Sequence, residues 1–332
     1  MNKNPNCPVC GSDTWKIIGS RLYKKNETHS LSNYVKIRYD VLFKVWLPDE
    51  NEIRFESIVC KRCGFVAFSP RPSAMDLEKK YHFLSRHPQA KNESSLSLTS
   101  DKKRSSELYM SLQPYIVDKP AKILDFGGGN GRLMVAFNEA GHECSIVDHI
   151  EETLPGINYL CSDVKNIPKN YIFDVIICNH VFEHLSDPAT VLKELSNHLT
   201  KKGVLYIEVP FEIWDRVPLP IEPVTHINFF TPKSMMALIS LTGLHVVCCK
   251  ESMFTTEQGG RAFAIKAWAT KKTNDLYRTY SIFDGNLTET EKRISPTVFM
   301  KLQRFYNFPE YRKKTLKEMV NRYLPNKFFW RF

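Results

Sequence analysis

Residues 122–134 read KILDFGGGNGRLM: an apolar run ending in Asp125, a turn with Gly127, Gly129 and Gly131 at alternate positions, and then a helical pattern. A strand that passes through glycines into a helix brings backbone amides close to a ligand, because glycine adopts the required dihedrals and leaves room for approach. The spacing narrows the choice of ligand. A dinucleotide fingerprint needs G-x-G-x-x-G or alanine at its sixth position, and counting from Gly127 that position is Arg132. A phosphate loop would end in Gly-Lys-Ser/Thr, which is absent. An acid just before the turn is poorly placed for a pyrophosphate and well placed for a ligand with a positive end.

Outward from this turn, residues 121–270 alternate short apolar runs with helical segments, as a parallel sheet requires. The runs predict strands at 121–126, 143–148, 158–161, 173–178 and 203–209, with two more at 244–250 and 261–268. The expected fold class is α/β, a doubly wound, seven-stranded, mostly parallel sheet. Only nine residues separate Asp148 from Asn158, so the helix that usually joins second and third strands is expected to be abbreviated.

Cys7 and Cys10 in CPVCG and Cys60 and Cys63 in CKRCG form two CxxC pairs, each followed by glycine. Two such knuckles predict a closed tetrahedral thiolate site for structural zinc, the alternative being unrelated pairs with one redox-active. Between them VKIRYDVLFKVWL alternates apolar and polar residues, PDEN turns the chain, and IRFESIVC follows. This predicts a β-hairpin with zinc clamping its ends. The expected organisation is a zinc-binding β-hairpin domain at 1–69, a helical connector at 70–120, the ligand-binding domain at 121–270 and a basic, aromatic extension at 271–332.

With Asp125, Gly127, Gly129 and Gly131 before it, the chain resembles the class I S-adenosylmethionine-dependent methyltransferases. The resemblance implies S-adenosyl-L-methionine as cofactor, with the glycines against it and Asp125 near its ammonium. It also implies Asp148 on the ribose hydroxyls, Asp163 near the adenine amine, and Asn179 in CNHVFEH beside the cofactor. Exocyclic-amine methylases of nucleic acid carry prolines after the fourth strand, and none stands in CNHVFEH. Cys178 is read as a small buried hydrophobe rather than a nucleophile, and His184 as support for its loop.

Further on, IEVP, THINFFTPKSMMALISLTGL and EQGGRAFAI, together with the paired-cysteine N-terminus, resemble the sugar C-methyltransferases. This implies His226 as general base beside a sugar, a role suited to a group that titrates near neutrality. The alternative is a histidine that bridges loop and helix. Three departures stand out: VTH in place of His-Glu-His, Gln258-Gly259-Gly260 in place of His-Gly-Gly, and residues 271–332 in place of a large C-terminal domain. They widen the expected acceptor to a hydroxyl of a small sugar, a glycan or its lipid-linked precursor.

Composition bounds the rest. An apolar fraction of 42% fits a globular protein, and the polar N-terminus leads to a cytoplasmic expectation in which the nine cysteines stay reduced. The net charge of +10 is concentrated in residues 301–332, where nine Lys or Arg face Glu310 and Glu318. Interleaved with Phe, Trp and Tyr, that tail predicts either peripheral contact with the inner, anionic face of the membrane or a helix packed on the core. RNA methylation or RNA binding is the alternative function, drawn from the zinc pairs and this tail.

Overall fold

The computed structural model describes residues 1–2, 5–27, 31–87, 98–117, 119–213, 217–256, 261–271 and 282–295, with 301, 306 and 312 singly. The Gln-Gly-Gly segment and nearly all of the basic tail lie outside the described residues. No helix among the described residues is long and apolar enough to cross a membrane.

The N-terminal part corrects the hairpin expectation. Strand β1 (Trp15–Lys24) pairs antiparallel with β2 (Glu52–Cys60), while residues 35–46, expected as a strand, form helix α1 (Asn33–Asp40) and a π-helical turn, Val41–Trp46. Ser32 caps α1 through Val35 N, and Ile37, Tyr39, Val41, Leu42, Phe43 and Trp46 are all buried. The segment is packed on several sides. An apolar run of this kind satisfies a two-residue and a helical period equally well, and burial rather than alternation settles it. The cysteine pairs still close one end of a hairpin, since Trp15, soon after the first knuckle, pairs with Cys60. Strand β3 (Val66–Ser69) and helix α2 (Ala74–Ser85), with a Ser73–Asp76 capping box, complete this part.

Helix α3 (Leu98–Leu112) leads into the large sheet. Its strands are β4 (Lys122–Phe126), β5 (Glu143–Val147), β6 (Ile157–Cys161), β7 (Phe173–Asn179), β8 (Leu199–Pro210), β10 (Leu244–Thr255) and β11 (Arg261–Lys271). Between them stand helices α4 (Val135–Glu139), α5 (Pro188–Asn197) and α6 (Pro232–Leu241), and a two-residue strand, β9 (Asn228–Phe229); α7 (Asn286–Ile294) follows. The order across the sheet is β10-β11-β8-β7-β4-β5-β6, parallel except at β11. All seven expected strands are present, and the short β5–β6 connection carries no helix. Strand order reverses between β4 and β7. In open α/β sheets, ligands bind outside the carboxyl ends of the strands at such a reversal.

Apolar clusters cover both faces of the sheet. The one holding Leu124, Ile176 and Ile207 runs on without a break into Phe55, Phe68, Phe229 and Phe230 of the N-terminal part. Its bridge is β9, which pairs with β3, so residues of the second half of the chain complete a four-stranded N-terminal sheet. Phe68 meets Phe229 at 5.0 Å and Phe65 meets Phe230 at 5.1 Å between ring centres.

Candidate active site

At the end of β4 the chain takes positive φ at Gly127 (76°), Gly129 (58°) and Gly131 (92°). The three do different things. A Cβ on Gly131 would lie 2.7 Å from Ile157 and one on Gly127 2.5 Å from Val181, so both are fixed by packing as well as dihedral. A Cβ on Gly129 would meet nothing within 4 Å: its face is open, as approach of a ligand requires. Gly129 N donates to Asp148 Oδ2 at 2.9 Å, and Ile150 N to Asp148 Oδ1 at 3.0 Å, which holds the carboxylate beside the turn with lone pairs to spare.

Asp125 is 1% exposed, and neither carboxylate oxygen has a hydrogen-bond partner among the described residues. Burial, helped by the charge of Asp148 and opposed by Arg104, pushes its pKa up to about 8. A buried acid with nothing to bind is costly, and a cationic ligand group would relieve it. Asp163 is exposed and accepts from Lys165 N at 2.9 Å, capping the turn Val164–Asn166. Asn179 closes β7. Its amide is satisfied at both ends when turned so that the nitrogen faces Glu208 at 3.2 Å and the oxygen an Arg104 nitrogen at 3.0 Å, the orientation its neighbours require.

Beyond β7 lies a polar cluster. His180 has φ 58°, a rare value for a side chain of this size, and is held by Glu208 at 3.2 Å. Burial works against its charge, but attraction from Glu183 and Glu208, with the hydrogen bond to Glu208, outweighs it and raises the pKa to about 9. Glu208 also accepts from Tyr206 Oη at 2.6 Å and pairs with Lys266 at 3.2 Å. Next to it Glu183 is 1% exposed with neither oxygen hydrogen-bonded among the described residues. His184 Nδ1 lies 2.7 Å from Thr225 O, His226 Nδ1 lies 2.8 Å from Glu212 Oε2, and the two rings are 5.0 Å apart. Burial lowers His184 to about 3.

His226 is brought here by a loop, 217–228, that the N-terminal part holds by its carbonyls. Arg21 and Tyr23 donate to Pro220 O at 3.1 and 2.8 Å, Tyr39 to Ile221 O at 3.3 Å, and Ser57 to Pro218 O. Lys80 Nζ donates to Val224 O at 3.1 Å. Arg71, 5% exposed, donates to Ile227 O, Leu185 O, Ser186 O and Asn228 Oδ1 at 2.7–3.2 Å, tying the histidine loops to each other.

The cysteines converge as their spacing predicts. Cys7 and Cys63 sulfurs are 3.5 Å apart, Cys10 and Cys60 3.6 Å, and all four lie within 4.8 Å of one another as free thiols. Thiolates about 2.3 Å from one tetrahedral ion stand roughly 3.8 Å apart, so the donor set fits zinc. Gly11 and Gly64 donate to Cys7 O and Cys60 O at 2.8 and 2.9 Å, forming the knuckles.

The structure therefore groups Asp125, Gly127, Gly129, Gly131, Asp148 and Asn179 along the switch-point cleft, places His226 among the polar groups past β7, and leaves Asp163 at the rim as a cap. Missing from the sequence reading were Glu183 as a third member beside the histidines, Arg104 on Asn179, and Arg71. The adjacent Glu-His pair was a visible signal for the first. Nothing in the sequence marked the other two.

Residues 99–249 match the family model described as a methyltransferase domain. The chain is 29% identical over 107 residues to a ubiquinone biosynthesis O-methyltransferase of Coxiella burnetii, covering 29% of this chain and 46% of that protein. It is 28% identical over 116 residues to a tRNA U34 carboxymethyltransferase of Campylobacter fetus, covering 31% and 41%. The chain thus spans less than half the length of these curated relatives. Among solved structures, Burkholderia thailandensis 1,6-didemethyltoxoflavin-N1-methyltransferase is similar at TM-score 0.49 and 17% identity, over 65% of this chain and 96% of that one.

Proposed function

We propose that the methyltransferase domain at 99–249 transfers a methyl group from S-adenosylmethionine to a hydroxyl of a sugar or glycan precursor. The observation that carries this is the buried, partnerless Asp125 beneath an open Gly129 and the ribose-competent Asp148, which together suit a ligand with a cationic end and a diol. Asp125 would answer the ammonium, Asp148 the ribose and Asn179 the wall nearest the transferable methyl, with Asp163 at the adenine end. The sulfonium is an activated donor, so the protein has mainly to align an in-line attack and remove a proton.

His226 is the group proposed to take that proton. Glu212 on Nδ1 leaves Nε2 as the nitrogen available to take a proton. The four cysteines are proposed to hold structural zinc, with no open position for chemistry. The basic tail is proposed to contact an anionic membrane surface, which suits a lipid-linked acceptor. RNA methylation is the second reading, favoured by the charge of that tail.

Calorimetry with S-adenosylmethionine, S-adenosylhomocysteine and NADH on wild type and Asp148→Ala tests the first step. Sulfonium-cofactor binding that weakens in the variant is expected, whereas binding of NADH instead would overturn the reading. Nucleotide sugars, lipid-linked glycans and RNA, screened with His226→Ala as control, then separate the acceptors, and an RNA acceptor would show steeply salt-dependent affinity.

A further inference from the structure

The geometry points to a second metal site, a divalent transition-metal ion held by Glu183, His184 and His226 at the acceptor end of the cleft. The three ligand atoms lie within 4.8 Å of one another. Ligands about 2.0–2.2 Å from a shared ion stand ~3–4 Å apart, so small side-chain rotations close the site.

Both histidines are already set in the tautomer a metal needs. A carbonyl and a carboxylate can only accept, so Thr225 O at 2.7 Å and Glu212 Oε2 at 2.8 Å fix the proton on Nδ1 of His184 and His226. Each Nε2 then carries a lone pair. An imidazole pinned by an oxygen on its far nitrogen is the usual outer shell of a metal-bound histidine. The independent observation is Glu183. It is buried to 1% exposure with both oxygens lacking a hydrogen bond among the described residues, and His184 Nε2 stands 3.8 Å from its Oε1. His180 Nδ1 approaches that oxygen at 3.3 Å, outside hydrogen-bonding alignment. The protonated His180 offsets part of this charge, and an ion beside the Nε2 lone pairs of His184 and His226 would fill the coordination capacity that the carboxylate keeps.

Two imidazoles and one carboxylate suit a transition metal rather than magnesium or calcium, and three protein ligands leave coordination positions open. The open positions lie on the histidine side, since the His184 and His226 side chains are 24% and 25% exposed while Glu183 is enclosed. Unlike the closed cysteine site, this one can bind oxygen atoms of an acceptor. In assigning the acceptor to the ion, the inference rests on the methyltransferase reading; ion binding itself does not. A hydroxyl bound through its oxygen gives its proton to solvent water. The oxygen lone pair then forms the C–O bond as the C–S bond breaks, its electron pair leaving on the thioether sulfur. With the ion in place, His226 holds metal and takes no proton; without it, the same nitrogen is left as the base.

The test is equilibrium dialysis of the full chain against zinc and separately against cobalt, with bound metal per chain measured for wild type, Glu183→Gln, His226→Ala and Glu212→Gln. Two ions per chain are expected for wild type and one for the first two variants. Glu212→Gln, which keeps an accepting oxygen but removes the outer-shell charge, should weaken the second ion by about 10-fold while the thermal midpoint is retained. The second cobalt should lack thiolate charge-transfer absorption. A single ion in wild type, or two in every variant, overturns the inference. Calorimetry with S-adenosylhomocysteine separates the failures: one ion with cofactor bound sinks the metal site alone, and two ions with no cofactor bound sinks the methyltransferase reading alone.

Discussion

Replacing Asp125 by Asn removes one charge and almost no volume from a position the fold has buried without a partner. In the wild-type protein the folded-state pKa is raised to about 8 from 3.8, by burial first and by Asp148 second. An acid whose folded pKa is raised contributes stability that is fully present below the unfolded value and is lost as pH rises to the folded value. The window is therefore pH 3.8 to about 8, with a slope of ~1.4 kcal/mol per pH unit. Between pH 5 and pH 7 the wild type should lose about 2.7 kcal/mol relative to the variant. Any fixed cost of burying the Asn amide is the same at both pH values and cancels from this difference. Urea unfolding of both ligand-free proteins at pH 5, 6, 7 and 8 measures it. The same substitution should weaken S-adenosylmethionine by roughly 10–100-fold, the worth of a hydrogen bond to a charged group. A stability difference that does not change with pH, or a variant that binds cofactor as tightly as wild type, would refute the assignment of Asp125 as a carboxylate waiting for a cation.

Gly129→Ala should keep the fold at a cost of about 1 kcal/mol and lose cofactor affinity, because only its dihedral is strained. Gly131→Ala adds a clash with Ile157 and Ile146 and should cost roughly 2–3 kcal/mol more, read by chemical denaturation. Arg71→Met takes the donor from Ile227 O, Ser186 O and Asn228 Oδ1, while Leu185 O keeps Asn228 Nδ2; at about 1 kcal/mol each, a loss of ~3 kcal/mol is expected, together with a larger fall in methyl transfer than in cofactor affinity. Cys10→Ser should lower the zinc content and expose residues 217–228 to limited proteolysis, which a thermal midpoint and a cleavage map would show.

Much of the large sheet could be read in advance because its central strands, β4, β5, β7 and β8, are short runs largely buried on both faces and bounded by turn residues. KILDF shows this: Ile123, Leu124, Asp125 and Phe126 are all buried. The glycine turn was equally legible, since only glycine tolerates φ of 92° against Ile157. The segment 35–46 was misread for a physical reason. Its odd positions are all apolar, which mimics a strand, and that alternation hid the helical stripe of Lys36, Asp40 and Lys44 at four-residue spacing, where Lys44 pairs with Asp40 at 2.9 Å. The histidine cluster was half legible. His184 follows Glu183 directly, but His226 joins them through contacts between distant parts of the chain that no local pattern encodes: Ile227 N and Asn228 N donate to Glu183 O, and β9 pairs with β3. Arg71 was invisible for the same cause: it looks like a surface arginine until the chain closes over it.

That closure gives the cysteine site its bearing on chemistry. A loop buried against another part of the protein must find donors for its carbonyls, and here they come from Arg21, Tyr23, Tyr39, Ser57, Arg71 and Lys80. Two of the six stand on β1 and one on β2, the strands whose register begins at Trp15 opposite Cys60. Anything that fixes the four sulfurs fixes that register, and through it the carbonyls on which His226 is carried. A shift of one residue along β1 would turn Tyr23 to the other face of the sheet and leave Pro220 O without it. The cysteines thus need never touch cofactor or acceptor to matter for catalysis. Their part is to hold the donors of a loop that carries His226 to Glu212.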